Sequence, residues 1–250
     1  MAGHSHSANI AARKGAVDKK RAKIFSKLSR ALMSAVRLGG PDADSNLKLK
    51  YAIEKARAGN MPRDTIERAI KRAAGEKGGD GFEELTYEGY APGGVAVMVS
   101  CLTDNRHRTS PDIKYIFDRC NGNIGAPGSV GFLFNFRAIF VADREGRDED
   151  AWVELGLEVG AEDVLVEQDV VTIVAPQTEF LAVKSALEGK NVKLHSAETG
   201  YMPQNTVPVT DKDEARRVLK LIEALEDNDD VQNVYANYDI PDAWLAELES

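Results

Sequence analysis

The sequence predicts a multidomain α+β protein: an N-terminal three-helix domain, then two ferredoxin-like α+β domains, one inserted in the other. Three observations predict it. Residues 1–77 hold 18 Lys and Arg against 7 Asp and Glu, and the rest of the chain holds 14 against 33. Hydrophobic spacing changes from helical to alternating after the glycine-rich stretch 75–81, which has the composition of a linker. Elements within 137–200 then follow the order βαββαβ, the ferredoxin-like order. The expected domains are 1–78, basic and helical; 79–136 plus 201–250, a discontinuous α+β domain; and 137–200, the insert.

Each element has a local reason. A long helix over 15–38 stops at the Gly39-Gly40-Pro41 breaker, as helices do at glycine. A second helix starts after the N-cap residues Asp44 and Ser45 and ends at Gly59, and a third begins at Pro62, which suits a first helical turn. Residues 93–101 form an apolar, valine-rich run with the character of a buried strand. Ser110-Pro111 opens a helix to 120, and 129–136 is a strand. The insert reads as strand 137–142, helix 148–160, hairpin 163–168 with 170–175, helix 178–190 and strand 192–198. Strand 201–209, helix 211–226 and strand 231–238 complete the outer domain.

Composition narrows the functional class. With 250 residues, 43% hydrophobic, and a net charge of −8, the chain has ample material for packed cores and is not a disordered protein. No run approaches the ~18 apolar residues of a membrane span, and no secretory signal pattern is present. Two cysteines in such a length argue against a disulfide scaffold and fit a reducing cytoplasm. The sequence lacks G-x-S-x-G, H-E-x-x-H, phosphate-loop and dinucleotide-loop patterns. Asp104, His107 and Ser110 sit within one loop, unlike triad members, which come from separate elements. We therefore expect neither catalysis nor a cofactor. His4 and His6 lack a third or fourth ligand, so no metal is expected.

The cationic third is the candidate site. At 100° per residue, Lys20, Lys23, Lys27 and Arg30 fall on one stripe of the first helix, beside an apolar face. Arg68, Lys71 and Arg72 share a face of the third helix. Arg13 and Lys14 extend the set into the N-terminal tail. Such spacing suits a phosphate backbone, whose counterions are released on binding; a solvated basic face has the same pattern. The phosphate reading requires that carboxylates of the trailing portion leave these cations free. Two loops also stand out. Tyr87, Tyr90, Pro92, Gly93 and Gly94 form one; Asp104, Asn105, Arg106 and Arg108 precede a helix. The second reads equally as an anion-binding helix start or as a turn plus N-cap. Phe132, Phe134 and Phe136 alternate onto one apolar face, read as core rather than as a base-stacking platform.

The strings MAGHS, KRAKIFSKL, NMPRDTIERAIKR, YEGYAPGGVAVMV and CLTDNRHRT together resemble the YebC/PmpR family, which includes the mitochondrial translational activator of cytochrome oxidase subunit one. The resemblance spans nearly the whole chain and implies the same three-domain fold. It also implies a non-enzymatic regulator, with either promoter DNA as target or, alternatively, ribosomal RNA in a translation factor that relieves stalling on proline-rich stretches. Neither role calls for a cofactor or a membrane. The tail departs from the family pattern: His6-Ser7 stand where Lys-Trp is usual and Ala11-Ala12 where a Lys-His pair is usual, weakening its expected grip on nucleic acid.

Overall fold

The structure is a computed structural model and describes residues 18–75, 81–167 and 169–248. Three helices come first: α1 (Asp18–Gly39), α2 (Leu47–Ala58) and α3 (Arg63–Gly75). Leu28, Leu32, Ala35 and Val36 repeat at helical spacing on α1 and pack with Leu49, Ala56, Ile66 and Ala69 from the other two. The cap of α2 is Asn46, one residue beyond the expected Asp44/Ser45. Its side-chain oxygen accepts from the Leu49 N–H at 3.0 Å, while its amide donates to the carbonyls of Ala35 and Gly40, both at 2.8 Å. A single carboxamide thus satisfies an orphan helix donor and fastens the end of α1 with two donated bonds, where Ser has one donor and Asp none.

The outer sheet has strand order β3-β1-β2-β9, with every pairing antiparallel. It comprises β1 (Glu83–Tyr90), β2 (Ala96–Thr103), β3 (Asn123–Ile124) and β9 (Val231–Ala236). Helices α4 (Arg106–Arg119) and α7 (Lys212–Glu226) cover one face. There Val97, Val99 and Cys101 meet Ile113, Phe117, Leu221 and Leu225. The other face of β2, Ala96 and Met98, is buried against Val130 and Phe134. Burial on both faces explains why this strand reads as a continuous apolar run.

The insert is built from β4 (Phe134–Asp143), α5 (Glu149–Val159), β5 (Asp163–Val166), β6 (Val170–Pro176), α6 (Phe180–Gly189) and β7 (Leu194–Pro203). Its antiparallel order β5-β6-β4-β7 is that of a ferredoxin-like βαββαβ unit. Ala138, Phe140 and Ala142 alternate inward from β4 onto Trp152, Val183 and Leu187. A two-stranded parallel pair, β8 (Val207–Pro208) with β10 (Tyr238–Asp239), and the short α8 (Asp242–Leu248) complete the described chain. No helix among the described residues is long and apolar enough to cross a membrane.

Several elements differ from expectation, each for a visible reason. Residues 83–90 are the strand β1, so Tyr87 and Tyr90, expected in a loop, are strand residues; Leu85 and Tyr87 pack toward the helices and Tyr90 toward the insert. The expected strand 129–136 does not form as such. The Glu88 carboxylate accepts the N–H groups of Gly128, Val130 and Gly131, each at 2.7 Å, so these amides serve a carboxylate instead of a neighbouring strand. A 3₁₀ turn over Gly131–Leu133 follows. It breaks the alternation, leaving Phe132 68% exposed while Phe134 is buried and Phe136 half-buried. β4 and β7 then run unbroken through 136/137 and 200/201, where separate strands were expected. The expected strand 231–238 divides at Asn237, whose side-chain oxygen accepts from Ala96 N–H at 2.7 Å.

Gly89 shows how tightly β1 is held. A Cβ there would lie 2.5 Å from the Asn123 carbonyl oxygen and 2.8 Å from the Phe117 ring. Gly89→Ala is therefore expected to cost about 1–3 kcal/mol through overpacking, measured as a lowered midpoint in chemical denaturation.

Candidate nucleic-acid interface

The cationic stripe of α1 faces the protein itself. Lys23 Nζ lies 3.2 Å from Asp227; Lys27 Nζ donates to the Glu226 carbonyl at 2.6 Å. Arg30 Nη1 donates to the Asp229 carbonyl at 3.0 Å and to the Asp230 carboxylate at 2.9 Å. All three thus sit on the 226–230 turn between α7 and β9. This corrects the expectation that they present an open surface to phosphate. The cause is electrostatic: the run Glu226, Asp227, Asp229, Asp230 crowds carboxylates at the C-terminal end of α7, the negative pole of the helix, where cations are favoured. Burial pushes the Lys27 ammonium below its ordinary pKa, more than the nearby Glu226 raises it. Lys20 lies within α1 and its side chain is outside the description; Arg13 and Lys14 lie outside the described residues.

Asp230 is the centre of this junction. Its side chain is 4% exposed. It accepts from Thr109 Oγ1 at 2.7 Å, from Arg108 Nη2 at 2.7 and 2.9 Å, and from Arg30. Burial alone would raise its pKa, but the Arg108 and Thr109 hydrogen bonds and the Arg108 and Arg30 charges outweigh that and hold the carboxyl below its ordinary range. Sequence reasoning missed Asp230. The usable signal was four acids at the wrong pole of a helix.

The two loops have structural duties. Asn105 caps α4, its side chain accepting from Arg108 N–H at 3.2 Å, so the helix opens four residues before Ser110. Arg108 also pairs with Asp104 at 3.0 Å, and Arg106 with Glu83 at 3.4 Å. Of the two readings left open, the turn plus N-cap matches this geometry, with both arginines engaged by carboxylates. Tyr87 shares a 2.7 Å hydrogen bond with Ser110 Oγ, and Tyr90 donates to the Ser129 carbonyl at 3.0 Å. Pro92, Gly93 and Gly94 form the turn between β1 and β2. Both glycines adopt left-handed φ, 76° and 75°, a conformation that other residues reach only with strain.

Two cations of α3 differ. Arg68 and Lys71 are exposed. Arg68 donates to the Asp64 carbonyl at 3.1 Å and Thr65 Oγ1 at 3.3 Å. Neither Arg68 nor Lys71 has a carboxylate partner among the described residues. Arg72, one position on, is exposed as well. These three cations of α3 reach solvent.

A basic helical unit carried on two antiparallel α+β units is an arrangement with a solved counterpart. The crystal structure of a conserved hypothetical protein from Aquifex aeolicus superposes with a TM-score of 0.79 at 46% identity, covering 90% of this chain and 92% of that one. Family models described as the TACO1/YebC protein N-terminal domain and the TACO1/YebC second and third domain match residues 5–76 and 82–238. The chain belongs to the TACO1/YebC family. Similar proteins include a "probable transcriptional regulatory protein" of Syntrophus aciditrophicus, 48% identical over the full length of both chains. Another of that name from Fusobacterium nucleatum is 45% identical, again with full coverage of both.

Replacing Asp230 with Ala leaves Arg30, Arg108 and Thr109 without their shared acceptor. A loss of about 3 kcal/mol is expected in denaturant titration, at the low end for a broken buried pair because both arginines reach water. The carboxyl is more acidic folded than its ordinary 3.8, so its contribution is present in full above that pH. It disappears as pH falls through the lower folded value. The gap between wild type and variant is therefore expected to close below pH 3.8.

Proposed function

We propose that this protein is a non-enzymatic, cytoplasmic regulator of transcription that binds promoter DNA without metal or cofactor. The observation carrying this reading is the exposed cationic face of α3, where Arg68 and Lys71 have no carboxylate partner among the described residues. Arg72 is exposed beside them, and Arg13, Lys14 and Lys20 are further cations of the same basic N-terminal third in the sequence. Long, flexible cations of this kind neutralise backbone phosphates and give affinity that falls with salt. The names of the similar proteins support a regulatory role. The acidic α+β units keep the remaining surface off the polyanion by like-charge repulsion. Lys23, Lys27 and Arg30 serve a different end in this scheme: they hold the helical unit in place and set how α3 is presented.

The test separates the two groups of cations. Arg68→Glu with Lys71→Glu is expected to weaken promoter-fragment binding and to lower the slope of log affinity against log salt by about two, one per lost phosphate contact. Lys23→Glu with Lys27→Glu is expected to leave that slope nearly unchanged while lowering thermal stability. If the full chain cosediments with ribosomes and competitor RNA displaces it from DNA at equal concentration, the promoter reading fails and the translation-factor alternative replaces it.

A further inference from the structure

A cavity of about 420 Å³ lies where the three units meet, within the size range of sites for small organic ligands. The helical unit contributes Tyr51 and Lys55, the outer sheet Gln232 and Tyr235, and the insert Glu198 and Tyr201. Its polar groups are incompletely matched. Lys55 Nζ donates to Asn233 Oδ1 at 2.7 Å, which uses one of three ammonium donors. The Gln232 side-chain nitrogen is buried with no hydrogen-bond partner. Burial pushes the Lys55 ammonium below its ordinary pKa, against the weaker opposing pull of the Glu198 carboxylate, which forms no ion pair or side-chain hydrogen bond among the described residues. Lys55 and Glu198 thus stand apart across the same space, too distant to satisfy each other.

The walls are aromatic. Phe136 and Tyr201 meet edge-on with centroids 4.8 Å apart, and Tyr201 and Tyr235 likewise at 5.4 Å. Tyr51 stands edge-on to Phe180 at 5.4 Å. Flat apolar walls with a few placed polar groups select a planar ligand and fix its orientation. The ionic groups are balanced, since Lys48 pairs with Glu84 at the rim at 2.5 Å and Lys55 is matched in charge by Glu198. A ligand of large net charge would meet repulsion from one or the other. We infer that this cavity binds a small aromatic zwitterion, its carboxylate held by Lys55 and Gln232 and its ammonium by Glu198.

Calorimetric titration of the full chain with three probes tests the assignment. L-tryptophan carries both ionic groups, 3-indolepropionate lacks the ammonium and tryptamine lacks the carboxylate. L-tryptophan is expected to bind about tenfold more tightly than either analogue, equivalent to about 1.4 kcal/mol. Gln232→Leu is expected to weaken L-tryptophan and 3-indolepropionate by about tenfold and leave tryptamine unchanged. Glu198→Gln is expected to do the converse, weakening L-tryptophan and tryptamine alone. Far-UV circular dichroism establishes that each variant is folded. Absence of binding heat from L-tryptophan at millimolar concentration overturns the inference. So does tryptamine binding as tightly as L-tryptophan, or a folded Gln232→Leu variant that binds all three probes like wild type.

Discussion

A buried carboxylate needs several strong donors, and the way Asp230 obtains them organises this molecule. Thr109 and Arg108 come from the start of α4, Arg30 comes from the helical unit, and the carboxylate itself ends the α7–β9 turn. Two stretches distant in sequence thus converge on the two carboxylate oxygens of a third. Few side chains can replace such an acceptor, because removing it strands the donors. The placement of the helical unit on the outer sheet therefore follows from local chemistry as much as from apolar contact.

That arrangement changes the meaning of the charge asymmetry along the chain. The acidic portion does more than repel polyanions: part of it holds the basic portion. Lys23, Lys27 and Arg30 are committed to the 226–230 turn, while α2 reaches the insert through Tyr51 against Phe180 and through an ion pair between Glu54 and Lys184. Exposed pairs such as Lys23 with Asp227 contribute little each, about 0–1 kcal/mol. The partly buried Arg30 contact carries more geometric information because its partner has no alternative in water.

Much of the fold was legible in the residues. Caps and breakers located α1, α2 and α3, a continuous apolar run located β2, and the succession of elements gave the ferredoxin-like order of the insert. Local signals failed where a distant partner decided the outcome. β1 was missed because its sequence, EELTYEGY, is half polar, and its pairing with β2 rather than its hydrophobicity makes it a strand. Residues 129–133 looked like a strand until Glu88, some forty residues earlier in the chain, captured their amides. For the site, periodicity put Lys23, Lys27 and Arg30 on one face, and all three meet the same turn. It carried no information about what that face would meet, since the acidic turn opposite lies about 200 residues away. The Arg68–Lys71 face remained open because no acidic segment packs over it among the described residues.

The route of the chain into and out of the insert bears on how separable the two α+β units are. β4 and β7 are neighbours along their whole length, and Phe134 pairs with Pro203 at the end nearest the outer sheet. Opposed residues of antiparallel strands lie only about 5 Å apart, so a tight turn could join these two positions. The whole ferredoxin-like unit is thus topologically an enlarged hairpin loop. Joining those two positions directly would leave the outer sheet β3-β1-β2-β9 intact, because none of the insert's strands belongs to it.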